Sequence, residues 1–312
     1  MVSVIEITIL IILSAVSFVG ILANGFIVLV NCMDWIKRRK MSPVDQVLAA
    51  LAISRMAMLS ELLVNSHAIV FASTLYVTGE TLKMIVYAWT VTNHFSIWLV
   101  TSLSIYYFLK IASFPNSIFL YLKWRVTKVV YVVMLVTLIF LIVNMALVDT
   151  HIDGWFHDSQ RNMTHSSRMS NFPQFYKRII FTNTMFTLGP FSVTLTIFLL
   201  LIFSLWRHLR RVLHSGKDSQ DANTKAHIKA MKSVITFLVL YAAFFLSLLV
   251  SFCNSDMLEK NQNTLLCQLT GSVYPSGHSC ALILGNPKLR QTFLSGLWWL
   301  RVRVTGEAPS RS

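Results

Sequence analysis

The chain has 312 residues, of which 55% are hydrophobic and only 13% are charged, and its mean hydropathy is +0.61. A soluble globular domain carries about 25% charged residues, so this composition excludes a soluble protein and predicts an integral membrane protein. The net charge of +14 would indicate nucleic acid in a soluble chain. In a membrane protein the placement of the basic residues matters more, and no nucleic-acid partner is expected.

Seven apolar segments follow one another along the chain, each long enough to cross the roughly 30 Å hydrocarbon core as a helix. They lie at about 5–31, 45–73, 82–110, 128–148, 178–206, 230–252 and 263–285. There is no internal repeat and no second domain, so we expect one domain over 1–312, an all-α bundle of seven transmembrane helices. The first segment is too long for the apolar part of a cleaved signal peptide and is expected to stay as a signal-anchor.

Basic residues flank these segments asymmetrically. Twenty of the 27 Lys and Arg residues fall in the first, third and fifth connections and the tail, and six fall on the opposite side. Because cytoplasmic loops are enriched in Lys and Arg, we expect the N-terminus outside and the C-terminus inside. The sequon Asn162-Met163-Thr164 lies in the 149–177 loop, which this topology places outside, where glycan transfer occurs.

The third segment is unusually polar for a membrane helix. Within 82–110 it carries Thr90, Thr92, Asn93, His94, Ser96, Thr101, Ser102 and Ser104. Such side chains need partners on neighbouring helices, so we expect this helix to be central and buried, and to reach the cytosol at Lys110.

The tail after Asn286-Pro287 has a different pattern. Apolar residues recur there at three- and four-residue spacing: Leu289, Phe293, Leu297 and Leu300. With Lys288 and Arg290 opposite them, this predicts a short amphipathic helix over 287–300, lying on the inner leaflet.

Arg55 lies within the second segment, where a charge costs roughly 2.5–3.5 kcal/mol on insertion scales. It must therefore be paired inside the bundle. Asn24 in the first segment is the expected first partner, and the seventh segment is the second. Arg55 is either a structural pin, a residue that fixes neighbouring helices to one another, or a switch whose partners change between states. The two roles are compatible.

Enzymatic and cofactor-dependent functions find no support in the motifs. Pro275-Ser276-Gly277-His278 occurs in membrane lipid phosphatases, but those also need an Arg-Pro pair and a second, later His, and this chain has neither. Segment 263–285 contains no Lys for a retinal Schiff base. The four Cys show no metal-binding spacing; Cys253 and Cys267 could form a disulfide across one outer loop, although free thiols are the favoured interpretation. We expect no catalytic residue, metal or cofactor.

Several motifs together resemble the bitter taste receptors, the type 2 taste receptors of the G-protein-coupled superfamily. They are Asn24-Gly25, LAISR (51–55), Trp89…Asn93-His94…Trp98 with SLSIYYFLKIASF (102–114), Ser204-Leu205-Trp206-Arg207-His208, KAHIKAMKS (225–233) and YPSGHSCALILGNPKLRQTFL (274–294). The Asp-Arg-Tyr and Asn-Pro-x-x-Tyr signatures of rhodopsin-like receptors are absent. Vomeronasal type 1 receptors resemble the last motif less well.

The resemblance implies a pocket for bitter small molecules between the outer halves of segments two, three, five, six and seven. On this analogy Trp89 supplies an aromatic wall and Asn93 a hydrogen bond. Asn65, Phe244 and Gln268 fall at corresponding pocket positions. An interface tryptophan is the alternative role of Trp89, and its place one turn from Asn93 favours the pocket.

The resemblance also implies a heterotrimeric, gustducin-like G protein at the cytosolic face and phospholipase C/calcium signalling at the plasma membrane. The residues expected near the G protein are Lys110, His208, Lys229 and Lys232. For any one of these lysines, contact with anionic lipid is the stronger alternative. His278 joins Asn24 and Arg55 in the expected polar core. Homo- or hetero-oligomers stay open, as does an ion channel or transporter.

Glu61 is the only acid deep within a segment, and the family resemblance does not lead us to expect it there. It precedes Asn65 by four residues, so both side chains point from nearly the same helix face. A buried carboxyl must be protonated, paired or near water. Glu61 is therefore either a neutral, hydrogen-bonded residue, which is the favoured interpretation, or a counter-charge that selects cationic alkaloid agonists.

The topology predicts that Asn162→Gln abolishes a glycosidase-sensitive gel shift, because 149–177 faces the lumen during synthesis. Gel mobility with and without glycosidase measures this, and an unchanged mobility pattern in the variant would count against the topology.

Overall fold

The computed structural model describes residues 3–38, 41–71, 79–112, 114–161, 165–214, 222–253 and 261–305. Within these ranges the chain is α-helical, without strands. The helices are α1 (Val4–Arg38), α2 (Pro43–Phe71), α3 (Gly79–Ile111), α4 (Ser117–Trp124), α5 (Val126–Arg161), α6 (His165–His214), α7 (Ala222–Cys253), α8 (Asn261–Gly285) and α9 (Pro287–Thr305).

Four of these helices contain stretches long and apolar enough to cross a membrane. The stretches are Val4–Lys37, Pro43–Phe71, Val126–His157 and Gln174–Arg207. An all-helical chain with four such helices fits the predicted membrane bundle. Helix α3 is not among the four, since it carries many polar side chains, and all eight that mark the third segment are buried except Thr92. The prediction of a buried polar helix at this position is confirmed.

Helix α3 lies at the centre of the packing, in contact with α2, α5 and α6, while α1 packs along α2 and α8, and α7 lies between α6 and α8. We call the end of the bundle where α2 ends at Phe71 and α3 begins at Gly79 the upper end. The lower end is the opposite one, which carries α4 and α9.

The predicted loop at 149–177 is wrong, because α5 continues to Arg161 and α6 begins at His165. Apolar contacts extend these helices past the apolar segments: the ring of Trp155 in α5 stacks on Phe175 in α6 with the ring centres 5.1 Å apart. The sequon at 162–164 lies outside the described residues.

Helix α4 was not predicted from the sequence. It begins after Asn116, whose Oδ1 accepts a hydrogen bond from the backbone N–H of Ile118 at 2.8 Å, a typical N-cap. Phe119 then packs edge-on against Phe108 of α3, with ring centres 5.5 Å apart. Two turns are too short for their apolar pattern to stand out between longer segments.

Helix α9 covers the range 287–300 and continues to Thr305, and the start of its apolar face packs on the bundle. Leu289 is 1% exposed, and Phe293 meets Phe26 of α1 edge-on at 5.7 Å. Lys288, expected on the outer polar face, binds Asp34 of α1 at 2.7 Å. Further along, Leu297 and the neighbouring tryptophans are about half exposed. The helix is therefore anchored to α1 at its start and presents apolar surface later.

Close packing of α1 against its neighbours depends on Gly20. A Cβ at this position would lie 2.7 Å from Leu59 Cδ1 of α2 and 2.8 Å from Ser276 Cβ of α8. Gly25 of the same helix has nothing within 4 Å of such a Cβ. The two glycines therefore differ in their surroundings while sharing one helix.

We predict that Gly20→Ala destabilises the protein by about 1–3 kcal/mol, because three helices must move apart to admit the methyl group. The melting temperature of the purified protein in detergent measures this. Gly25→Ala is the matched control and should leave the melting temperature unchanged or slightly raised, since Ala favours a helix more than Gly. Equal melting temperatures for the two variants would contradict the close contact at Gly20.

Candidate functional site

A cavity of about 760 Å³ lies in the upper half of the bundle between α2, α3, α6, α7 and α8. Its walls are mostly aliphatic and aromatic, with a small number of polar side chains. Deep apolar cavities with few polar groups are typical sites for small molecules. The chemistry of this one therefore depends on where those polar groups stand.

All six side chains that were predicted to meet a ligand line this one cavity. They are Glu61 and Asn65 of α2, Trp89 and Asn93 of α3, Phe244 of α7 and Gln268 of α8. The two pairs on α2 and on α3 are each four residues apart, and this spacing places both members on the same helix face. The helices that line the cavity are those that the resemblance implied.

Three polar atoms of the lining are buried and unsatisfied. Asn93 Oδ1, Gln268 Oε1 and Thr184 Oγ1 have no hydrogen-bond partner within the described residues. A buried polar atom without a partner costs about 1–3 kcal/mol. They come from three helices but line the same cavity, so a bound molecule could satisfy them together.

Asn183 of α6 also lines the cavity, and sequence reasoning missed it. Its Nδ2 donates to Thr90 Oγ1 of α3 at 3.3 Å, and its Oδ1 accepts from Asn144 Nδ2 of α5, also at 3.3 Å. Asn183 thus holds three helices together beside the cavity. An asparagine in an otherwise apolar helix was the signal that could have identified it, because such residues seek partners on neighbouring helices.

Glu61 is bound only weakly in the structure. Its Oε2 accepts a hydrogen bond from Thr92 Oγ1 of α3 at 3.3 Å. The Thr92 hydroxyl lies closer to the carbonyl oxygen of Ala88, at 2.8 Å, and one hydroxyl has one proton to donate. Among the described residues no cation forms an ion pair with Glu61.

Below the cavity, Arg55 is completely buried. Its Nη1 donates to Ser279 Oγ of α8 at 3.3 Å, and the Ser279 hydroxyl lies 2.7 Å from Asn24 Oδ1 of α1. The predicted order of partners is therefore wrong: α8 supplies the direct contact, and Asn24 is reached through it. Ser279 could not be singled out by depth alone, because a helix offers several polar residues at similar height.

Aromatic contacts connect the cavity to Arg55. The ring of Phe244, which lines the cavity, lies 5.1 Å from the ring of Tyr274, and the Arg55 guanidinium lies 5.1 Å from that same ring. His278 is buried and stacks on Tyr274 at 5.6 Å. Only the Tyr274 ring therefore lies between Phe244 and the Arg55 guanidinium along this series of contacts.

The residues expected at the G-protein face are at the lower end. Lys110 is exposed near the end of α3, with its ammonium 5.9 Å from the centre of the Tyr106 ring. His208 lies in α6, and Lys229 and Lys232 lie in α7; the side chains of these three are outside the described residues.

Cys267, on the cavity wall, is a free thiol, as the sequence favoured, and the side chain of Cys253 lies outside the described residues. Within the described part of the chain, no group of three or more His, Cys, Asp and Glu side chains could hold a metal ion.

Comparison with known proteins identifies the relatives of this chain. The family described as Taste receptor protein (TAS2R) matches residues 1–301. "Taste receptor type 2 member 14" of Macaca mulatta is 52% identical over 292 residues, or 94% of this chain and 92% of the relative. "Taste receptor type 2 member 140" of Rattus norvegicus is 52% identical over 297 residues, 95% of each chain. The human "Taste receptor type 2 member 14" is 51% identical over 292 residues, with 94% and 92% coverage.

The long apolar helices and these relatives define a multi-pass helical membrane protein that acts as a receptor rather than an enzyme. The chain belongs to the taste receptor type 2 family, the bitter taste receptors, and is a G-protein-coupled receptor. The family resemblance stated from the sequence motifs is thereby confirmed.

Proposed function

We propose that this receptor binds bitter small molecules in the upper cavity and activates a heterotrimeric G protein at its lower end. In this proposal α1, α2, α3, α5, α6, α7 and α8 all span the membrane as a single domain. The N-terminus and the upper end face outward in this proposal, and the excess of Lys and Arg in the connections at the lower end supports this orientation. The receptor acts at the plasma membrane.

The observation that carries the proposal is the lining of the cavity. Its volume of about 760 Å³ lies within the roughly 300–1,000 Å³ of sites that enclose small molecules. Its aliphatic and aromatic walls suit an apolar or amphipathic agonist. The free acceptors of Asn93 and Gln268 would fix the orientation of that agonist.

The contacts below the cavity support a route for the signal. An agonist that presses on Phe244 would displace Tyr274, which packs against the Arg55 guanidinium. Arg55 in turn holds α8 through Ser279. Because packed cores switch between discrete arrangements, a small displacement here could change how α7 and α8 sit relative to α2. This gives Arg55 the role of a switch in addition to that of a pin.

At the lower end, α3, α6 and α7 would open a groove for the G protein. Lys110, His208, Lys229 and Lys232 lie on these helices, and a basic rim also suits the anionic inner leaflet, at about 1 kcal/mol per residue. The exposed apolar residues of α9 beyond Phe293 fit contact with that leaflet. A gustducin-like G protein, phospholipase C and calcium release would follow.

A screen of chemically diverse bitter compounds in cells that express a promiscuous G protein tests this function. The proposal predicts calcium release that depends on the G protein. An ion channel or transporter would instead give current in a patched cell without any G protein, and that result would contradict the proposal.

For an agonist found in this way, we predict that Asn93→Ala raises the half-maximal concentration about 3- to 10-fold. This corresponds to the loss of one hydrogen bond of about 0.5–1.5 kcal/mol. Surface expression should be kept, because Asn93 Oδ1 has no partner in the described part of the chain that the change would strip away. Calcium imaging at matched surface density measures the effect.

Thr270→Ala is the control for this variant. Thr270 is exposed on α8, outside the cavity lining, and its hydroxyl bonds only to backbone oxygens of its own helix. Its potency should match that of the wild type. Unchanged potency in Asn93→Ala would remove Asn93 from the agonist site.

A further inference from the structure

We propose that Glu61 makes the cavity selective for lipophilic cations, with its carboxylate as the binding point for a protonated amine; this deepens the proposed function and rests on it. The chemical class is a hydrophobic body that carries one ammonium group. The sequence alone favoured a neutral structural residue over a counter-charge, and the lining of the cavity supports the second role.

The cavity wall carries one ionisable acid and no basic side chain among the residues that the structure describes. Among the lining residues that the structure describes, Glu61 is the only Asp or Glu, and none is Lys, Arg or His. The remaining wall is apolar, aromatic or neutral and polar. Glu61 is thus the only group of the described wall that can carry a compensating charge for a protonated amine, and the attraction between the two charges strengthens where the effective dielectric constant falls.

Among the described residues the protein does not pair Glu61 with a cation. Thr92 offers Glu61 only a contact of 3.3 Å, and its hydroxyl proton is better placed for the Ala88 carbonyl at 2.8 Å. The nearest cations along the chain are engaged elsewhere: Arg55 binds Ser279 of α8, and Lys83 forms an ion pair with Asp153 of α5 at 3.2 Å. The carboxylate is left available for a charge from outside.

The groups around Glu61 suit an ammonium donor. Thr92, which contacts it, is followed in α3 by Asn93, so the free amide oxygen of Asn93 comes from the same turn. Gln268 Oε1 is a second acceptor without a partner among the described residues. Trp89, one turn away on α3, lines the same cavity, and an aromatic face attracts cations. Acceptors and a π-face around a carboxylate match an ammonium donor, whereas they would repel an anion.

The test uses matched pairs of compounds, each pair a lipophilic tertiary amine and the neutral amide of the same skeleton, such as N-benzylpiperidine and N-benzoylpiperidine, with further pairs of larger ring systems. At neutral pH the amine is protonated and the amide is not. The quantity measured is the potency ratio of amine to amide in calcium imaging at matched surface density, for the wild type and each variant.

We expect Glu61→Gln to lower this ratio at least 10-fold, because the variant keeps shape and hydrogen bonding but loses the charge. Glu61→Asp keeps the charge and should retain more of the ratio than Glu61→Gln. Glu80→Gln is the matched control, since Glu80 is an exposed acid at the start of α3, outside the described lining. It should leave the ratio within threefold of the wild type.

Three outcomes would overturn the selectivity. They are a ratio unchanged by Glu61→Gln, an equal fall in Glu80→Gln, and a wild-type receptor that answers amides but no amines. If Glu61→Gln fails to reach the surface, the amine-to-amide potency ratio of the wild type tests the proposal. Amines more potent than their amides would support it, and amides more potent than amines across the panel would refute it. A wild type that answers neither these pairs nor any bitter compound would overturn the proposed function itself.

Discussion

A positive charge enclosed at the centre of an apolar bundle is the constraint on which the rest of the structure depends. Arg55 is completely buried, and no carboxylate of the described residues forms an ion pair with it. Its stability rests on neutral groups: the hydroxyl of Ser279 and the ring of Tyr274. Both groups belong to α8. The charge of Arg55 in α2 is therefore stabilised only while α8 keeps its position beside α2. The close contacts of α1 at Gly20 keep these helices together.

The cavity is a consequence of the same arrangement. Polar bridges such as Asn144–Asn183–Thr90 hold α3, α5 and α6 together beside the cavity, and aromatic packing closes its lower side through Phe244 and Tyr274. Asn93 Oδ1 and Gln268 Oε1 belong to the lining of this cavity and have no hydrogen-bond partner among the described residues. A site that leaves its own polar atoms unsatisfied gains most from a ligand that completes them, which fits a receptor better than a purely structural cavity.

Hydropathy and the placement of polar residues depend only on local order, and they predicted the helical class and the buried face of α3. The cavity-lining positions came from the resemblance to the bitter taste receptors, except for Glu61, which was placed by its four-residue spacing from Asn65. The sequence did not predict α4, the helical extension of α5 and α6 beyond the apolar segments, or the partner order around Arg55. These depend on contacts between distant residues, such as Trp155 with Phe175. Lys288 illustrates the limit: its helix face was evident, but its ion pair with Asp34 of α1 arises from packing that no local pattern encodes.

The account is tested most directly by Arg55→Ala, with calcium responses measured at matched surface density of variant and wild type. Removal of the guanidinium leaves the Ser279–Asn24 pair but removes the contacts of Arg55 with Ser279 and Tyr274 of α8. If Arg55 transmits the state of the cavity, the maximal response should fall severalfold even where the receptor reaches the surface. A full wild-type response from Arg55→Ala would contradict the account and leave Arg55 without a role in signalling.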